Sequence, residues 1–154
     1  FRFYFPFFSK KLVLATQSIA DLIISGEAPL QEIIRTGGTQ GYGAFGGRYL
    51  GRGIREEGYV GYYTFVQQVE LRARITKFQL FSMRIAPTWA VFSDAGVISW
   101  EAKDIAESAK KPLIGFGTGL RINVNHNLVI RADVGFSPHE KHKPMIYIGI
   151  HNVF

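Results

Sequence analysis

The sequence predicts an all-β protein, an antiparallel β-barrel whose strands cross a membrane. Apolar and polar residues alternate with a period of two along most of the chain, and long and short connections alternate between the predicted strands. One face of these strands is almost free of charge. The chain contains no run of the ~20 apolar residues that a membrane helix needs. A mean hydropathy close to zero is compatible with a barrel, because lipid-facing and lumen-facing residues alternate.

Six segments have the pattern of strands, and the mostly aromatic residues 1–8 are either the end of a further strand or an interfacial aromatic girdle. Pro87 predicts a bulge or local break in its strand, because proline has no N–H to donate. Residues 101–111 are rich in helix formers and predict one short loop helix. The six predicted strands are 12–24, 60–75, 80–98, 115–124, 128–136 and 145–154.

The lengths of the connections indicate how the predicted strands cross the membrane. Three connections are long (26–58, 99–112 and 137–144) and two are short (76–79 and 125–127). Bacterial outer-membrane barrels have long outer loops and short periplasmic turns, so the pattern fits that class. An arginine on the lipid face would cost roughly 2–4 kcal/mol at mid-depth, so the strand arginines are expected to face the lumen. A soluble sandwich also has one apolar face and remains the alternative.

Composition adds weaker constraints. The chain has no cysteine, which fits an envelope protein without disulfides but also a cytosolic protein. Its net charge is +6, yet the basic residues are spread along strands, so we expect no nucleic-acid partner. Single-chain bacterial barrels have an even number of strands, eight or more, and open edges are not viable in lipid. The sequence opens on FRFYFPFF without methionine, and we expect it to be a piece of a longer chain.

Residues 26–58 hold ten of the seventeen glycines and are expected to form a long outer loop folded into the lumen. An arginine buried there needs a carboxylate, because an unpaired buried charge is costly. By alternation Glu70 and Asp94 face the lumen from the two strands that follow the loop. A contact between Arg52 and these carboxylates would hold the loop inside, and we name it the latch. The alternative is that Arg52 is an ordinary solvated arginine.

Four segments, in this order, resemble a known family. They are Gly51-Arg52-Gly53-Ile54, Val69-Glu70-Leu71-Arg72, Phe92-Ser93-Asp94-Ala95-Gly96, and a tail of alternating apolar residues that ends on Phe154. The combination is similar to the BamA/TamA-like outer-membrane assembly barrels and two-partner-secretion transporters, the bacterial surface antigen barrels. In that family an Arg-Gly tetrad lies on an outer loop inside the lumen, so the resemblance favours the latch over a solvated arginine.

The resemblance implies that residues 1–154 are the C-terminal six or seven strands of a sixteen-stranded barrel in the outer membrane of a Gram-negative bacterium. It also implies protein insertion and assembly, or protein translocation, with outer-membrane lipid, substrate outer-membrane proteins and accessory envelope lipoproteins as partners. No enzymatic activity or cofactor is expected. The implied latch residues are Arg52, Gly53, Glu70, Asp94 and Gly96. The implied lateral gate and targeting signal in the last strand comprise Ile146, Ile148, Gly149, Ile150 and Phe154.

Two other functions fit the same pattern: the membrane-anchoring barrel of a patatin-like phospholipase, and a passive porin-like barrel. Motifs for other chemistry are weak. Residues 41–46 spell G-x-G-x-x-G, but the glycine-rich stretch after them does not predict the helix of a dinucleotide site. His139 and His142 lie on a predicted loop without further ligands nearby, so we expect no metal site. No serine nucleophile motif and no distinctive pair of carboxylates suggests catalysis.

Overall fold

The computed structural model describes residues 1–7, 11–23, 26, 45–55, 59, 61–125 and 127–150. Over these residues it confirms an all-β antiparallel fold in which the long strands pair in chain order. The strands are β1 (Arg2–Phe7), β2 (Leu12–Leu22), β3 (Tyr63–Arg74), β4 (Phe78–Leu80), β5 (Met83–Ser99), β6 (Leu113–Val124), β7 (Leu128–Phe136) and β8 (Met145–Ile150).

Among the described strands the sheet is open, and its order is β1-β2-β3-β5-β6-β7-β8, with the short β4 pairing with the start of β5. Residues 1–8 therefore do supply a strand, which makes seven strands across the sheet. Within the described part of the chain, β1 and β8 each leave one edge unpaired. Several predicted segments lie partly outside the described residues. The residues concerned include 27–44 and 56–58 of the long loop, with most of the G-x-G-x-x-G motif, 24 and 60 at the ends of two predicted strands, 126 of a predicted turn, and 151–154 of the tail.

One predicted turn is wrong. The sequence placed it at 76–79, whereas Phe78–Leu80 forms β4 and the chain reverses at Phe81 and Ser82. The polar Thr76-Lys77 pair resembles a turn, but the apolar alternation resumes immediately after it, so the strand partner of β5 continues.

The break expected in the strand at Pro87 is not found, since β5 runs unbroken from Met83 to Ser99 and Pro87 pairs with Ile122 of β6. Arg74 pairs with Thr88, but the next pair on the same side of β5 is Phe78 with Ile85. Residues 75–77 therefore lie opposite residues 86 and 87, so the irregularity of a β-bulge is found in the segment that faces Pro87 and not in β5 itself.

The predicted loop helix is confirmed. A single 3₁₀ turn, Ala102–Asp104, leads into helix α1, Ile105–Lys110, and neither contains a buried residue. A second 3₁₀ turn, Pro138–Glu140, lies between β7 and β8. None of the described helices has the length and apolarity to cross a bilayer.

Cross-strand pairing defines two faces of the sheet. The row Leu14, Leu71, Val91 and Thr118, in which each residue pairs with the next, marks what we call the outer face. The opposite face, which carries Glu70, is the inner face. The strands contain ten charged residues, and all ten lie on the inner face: Arg2, Asp21, Glu70, Arg72, Arg74, Arg84, Asp94, Arg121, Arg131 and Asp133.

The buried core lies between the inner face and residues 45–55, which we call the loop segment. Phe45, Leu50 and Ile54 of this segment pack with Val66 of β3, and all four side chains are buried. The sheet therefore buries its inner face against one of its own loops, and its outer face keeps large apolar side chains exposed.

Candidate functional site

Arg52 lies at the centre of the contact between the loop segment and the sheet. Its Nε and main-chain N–H both donate to Asp94 Oδ2 at 2.9 Å, and Nη2 donates to Asp94 Oδ1 at 2.9 Å. Its Nη1 donates to Glu70 Oε2 at 2.8 Å. The guanidinium carbon is 3.5 Å from the ring centroid of Phe92, a cation–π contact. Strand alternation places both carboxylates on the inner faces of the adjacent strands β3 and β5.

The contact extends into a network across four strands. Glu70 Oε2 also accepts from Arg121 Nη2 at 2.9 Å, and Glu70 Oε1 accepts from Arg72 Nε at 2.7 Å. Arg121 Nη1 donates in turn to Asp133 Oδ1. Arg121 and Asp133 were not among the predicted site residues. Their inner-face positions on neighbouring strands were the signal that could have indicated them.

Burial makes the pairing necessary. Six ionic side chains are buried together: Arg52, Arg121, Arg131, Glu70, Asp94 and Asp133. Removing each charge from water costs several kcal/mol, so partners and hydrogen bonds are needed to offset the cost. Three positive and three negative charges balance within this group. Arg131 is the least well paired, since its nearest carboxylate oxygen, Asp133 Oδ2, is 3.8 Å from Nη1. Its Nε and Nη1 have no hydrogen-bond partner among the described residues.

Arg52 keeps its charge in this environment. Burial alone would lower the pKa of its guanidinium, but the charge of Asp94 and its hydrogen bonds, followed by those of Glu70, outweigh burial. The pKa of Arg52 is therefore raised above its ordinary value. The side chain is therefore cationic at neutral pH.

Glycines allow the loop segment to lie directly on the strands. Gly53 has φ +94, and a Cβ at this position would be 2.5 Å from the main-chain nitrogen of Phe136 in β7. At Gly96 of β5 a Cβ would be 2.6 Å from the ring of Phe45. Both glycines lie where the segment contacts the sheet, so side chains here would push the two apart.

Tyr147 of β8 makes a second attachment to the loop segment. The main-chain N–H of Gly53 donates to the Tyr147 hydroxyl at 3.0 Å, and the same hydroxyl donates to the Ile54 carbonyl at 3.5 Å. The loop segment is thus fixed to β3 and β5 through Arg52, and to β8 through Gly53.

The Tyr147→Phe substitution tests this second attachment. It leaves the Gly53 N–H without its acceptor, and we expect it to destabilise the protein by about 1–2 kcal/mol. The measurement is the midpoint of urea unfolding of the folded protein. Tyr4→Phe, at an exposed position on β1, is the matched control and should leave the midpoint nearly unchanged. Equal midpoints for the two variants would contradict a contribution of this hydrogen bond.

The structure brings together one of the two predicted groups of residues. Arg52, Glu70 and Asp94 are in direct contact, with Gly53 and Gly96 beside them. The second group lies along β8 at the edge of the sheet. Its exposed outer-face side chains are Ile146, Ile148 and Ile150, whereas Gly149 lies on the inner face opposite Arg131, and Phe154 is outside the described residues.

No family model, curated protein or solved structure matches the chain. In the described residues no group of three or more potential metal ligands comes together. The chemistry of the site is that of buried charge pairs. Such an arrangement can hold a chain segment in one place.

Proposed function

We propose that this chain forms the C-terminal part of a transmembrane β-barrel in the bacterial outer membrane, with its outer face in contact with lipid. The observation that carries the proposal is the distribution of charge. All ten charged strand residues lie on the inner face, and the outer face of the described strands carries none. A solvated sheet face normally carries polar and charged residues between its apolar ones.

Several polar side chains on the outer face pair with one another, which supports lipid contact. Gln67 donates to the Thr16 hydroxyl at 2.6 Å and accepts from Ser18 at 2.5 Å. The indole N–H of Trp89 donates to the Thr118 hydroxyl at 2.7 Å. Unsatisfied polar groups are costly in hydrocarbon but not in water, so this internal pairing is expected of a lipid-facing surface.

A charge at the middle of the outer face tests lipid contact. Leu120→Arg places a cation at an exposed position on β6. In a bilayer we expect a loss of roughly 2–4 kcal/mol in unfolding free energy, whereas a solvent-exposed site would change by less than about 0.5 kcal/mol. Urea unfolding in phospholipid vesicles measures this difference. Asn127→Arg, on the turn after β6, adds the same charge outside the strands and should be nearly neutral.

Within this class we propose a role in protein insertion and assembly, or protein translocation, rather than passive diffusion. The loop segment supports this choice, because it lies against the inner face and is held there by Arg52 and Gly53. A passive porin-like barrel keeps its lumen open to water. In addition, β8 pairs with β7 over six residues and leaves its other edge unpaired in the described residues, so a substrate strand would find a template there.

Reconstitution tests the role. Vesicles that contain the protein isolated from membranes should fold a second, initially unfolded outer-membrane barrel several-fold faster than empty vesicles, as followed by gel mobility without heating. A protein-free control and vesicles with an unrelated barrel set the background. A large, steady ion conductance without faster folding would contradict the proposal and favour a passive pore.

A further inference from the structure

The β4–β5 hairpin extends beyond the strands on either side of it. β2 pairs with β3 as far as Ala73, and β6 pairs with β5 as far as Ile85. Asn125, in the turn after β6, reaches the hairpin at Arg84. We call residues 77–84 the tip hairpin. It forms a projection at the end of the sheet where the short turns lie.

The outer side of the tip hairpin continues the apolar outer face of the sheet. Phe78 and Leu80 are each 47% exposed, and Met83 is 38% exposed. The opposite side is polar, with Gln79 paired to Arg84. A projection with one apolar side and one cationic side fits the boundary between hydrocarbon and lipid headgroups.

The turn at the end of the hairpin is strained. Phe81 has φ 45 and Ser82 has φ 66, both in the left-handed region. Two-residue hairpin turns with this geometry favour Asn-Gly, and a bulky side chain is a genuine outlier there. Phe81 is also 87% exposed, so no packing within the described protein compensates for the strain. Strained residues tend to occur where a function requires them.

The charges around the tip hairpin are all positive. Arg74, Lys77 and Arg84 lie in or beside it, and the sequence contains no acidic residue from 71 to 93. The backbone N–H of Arg74 donates to the carbonyl of Lys11, which adds a further cation at this end of the sheet. Basic residues next to a membrane attract anionic phospholipid headgroups.

We infer that the tip hairpin is a membrane anchor, which inserts Phe81 and its apolar outer side into the headgroup layer of a leaflet that contains anionic phospholipid. The inference rests on the proposed lipid contact of the outer face, because the apolar side of the hairpin is continuous with that face. Two further observations, the strained Phe81 and the positive charges around the hairpin, do not depend on lipid contact of the outer face.

Fluorescence quenching tests the anchor. Because the sequence has no cysteine, Phe81→Cys introduces a single labelling site for a bimane probe in the full protein, and Ser82→Cys serves if the first variant folds poorly. The protein is reconstituted in vesicles of phosphatidylcholine alone or mixed with phosphatidylglycerol. A probe at 81 should be quenched strongly by lipids brominated near the headgroup and weakly by aqueous iodide, with several-fold more lipid quenching in the anionic vesicles.

Two control positions make each outcome decisive. A probe at Asn127→Cys, on the polar turn at the same end, should be quenched by iodide. Equal iodide quenching at 81 and 127 would overturn the anchor, and protection of 81 from both quenchers would indicate contact with protein and overturn it as well. Equal lipid quenching in both kinds of vesicle would overturn the preference for anionic lipid. A probe at Leu120→Cys reports on lipid contact of the outer face. If lipid quenches the probe at 120 but not the probe at 81, the anchor is overturned and the proposed barrel is supported.

Discussion

Arg52→Met is expected to destabilise the protein by about 3–5 kcal/mol, because removing one partner leaves buried charges uncompensated. Asp94 would lose three hydrogen bonds if the segment detaches, and Glu70 would lose one. The measurements are urea unfolding in vesicles and chymotrypsin digestion from the outside. Digestion should now cleave the loop segment at Tyr49, which is protected while the segment lies on the sheet.

Arg55→Met is the matched control for this prediction. Arg55 belongs to the same segment, but its side chain is 66% exposed and its Nε is 3.8 Å from Glu140. Exposed pairs contribute about 0–1 kcal/mol, so this variant should stay close to wild type and remain protected from protease. Small and equal effects at positions 52 and 55 would show that Arg52 does not hold the segment.

Gly53→Ala should cost about 2–5 kcal/mol, because two penalties combine. A side chain at φ +94 is disfavoured by roughly 1–2 kcal/mol, and the added methyl would overlap the main chain of Phe136 at a further cost of about 1–3 kcal/mol. Relief requires the loop segment to move away from β7, which would weaken the Arg52 contacts as well. Unfolding free energies in vesicles measure the loss.

Gly149→Ala is the control for adding a methyl group on the inner face. Its φ is not in the left-handed region, and its Cβ would come no closer than 3.3 Å to the flexible end of Arg131. We expect a change within about 1 kcal/mol. The double variant of Arg52→Met and Gly53→Ala should lose less than the sum of the single losses, because both act on the same contact. Full additivity would contradict a shared role in holding the segment.

The period-two pattern was sufficient to predict much of this structure. It placed Glu70 and Asp94 on the same face of neighbouring strands, and a buried arginine in the glycine-rich loop then had these carboxylates within reach. The residues on the outer face followed from the same alternation. Such predictions succeed because a shift of one residue in the pairing register would move every charged side chain of a strand to the apolar face.

Other features depended on information that local patterns do not contain. The hairpin turn was misplaced because Phe81-Ser82 has none of the residues that favour its conformation. Alternation places Arg121 and Asp133 on the inner face, but which partners they meet there depends on the register between strands. The contact of Gly53 with Phe136 joins residues far apart in the chain.

The central claim is that the outer face contacts lipid, and a spin-label scan along β3 tests it most directly. Single cysteines are placed at the outer-face positions Tyr63, Phe65, Val69, Leu71 and Ala73, and each nitroxide is exposed to oxygen and to a water-soluble nickel complex. The proposed barrel predicts a ratio of oxygen to nickel accessibility that is highest near Val69 and falls toward both ends of the strand. High nickel accessibility at all five positions would show that this face lies in water and would contradict the proposed barrel.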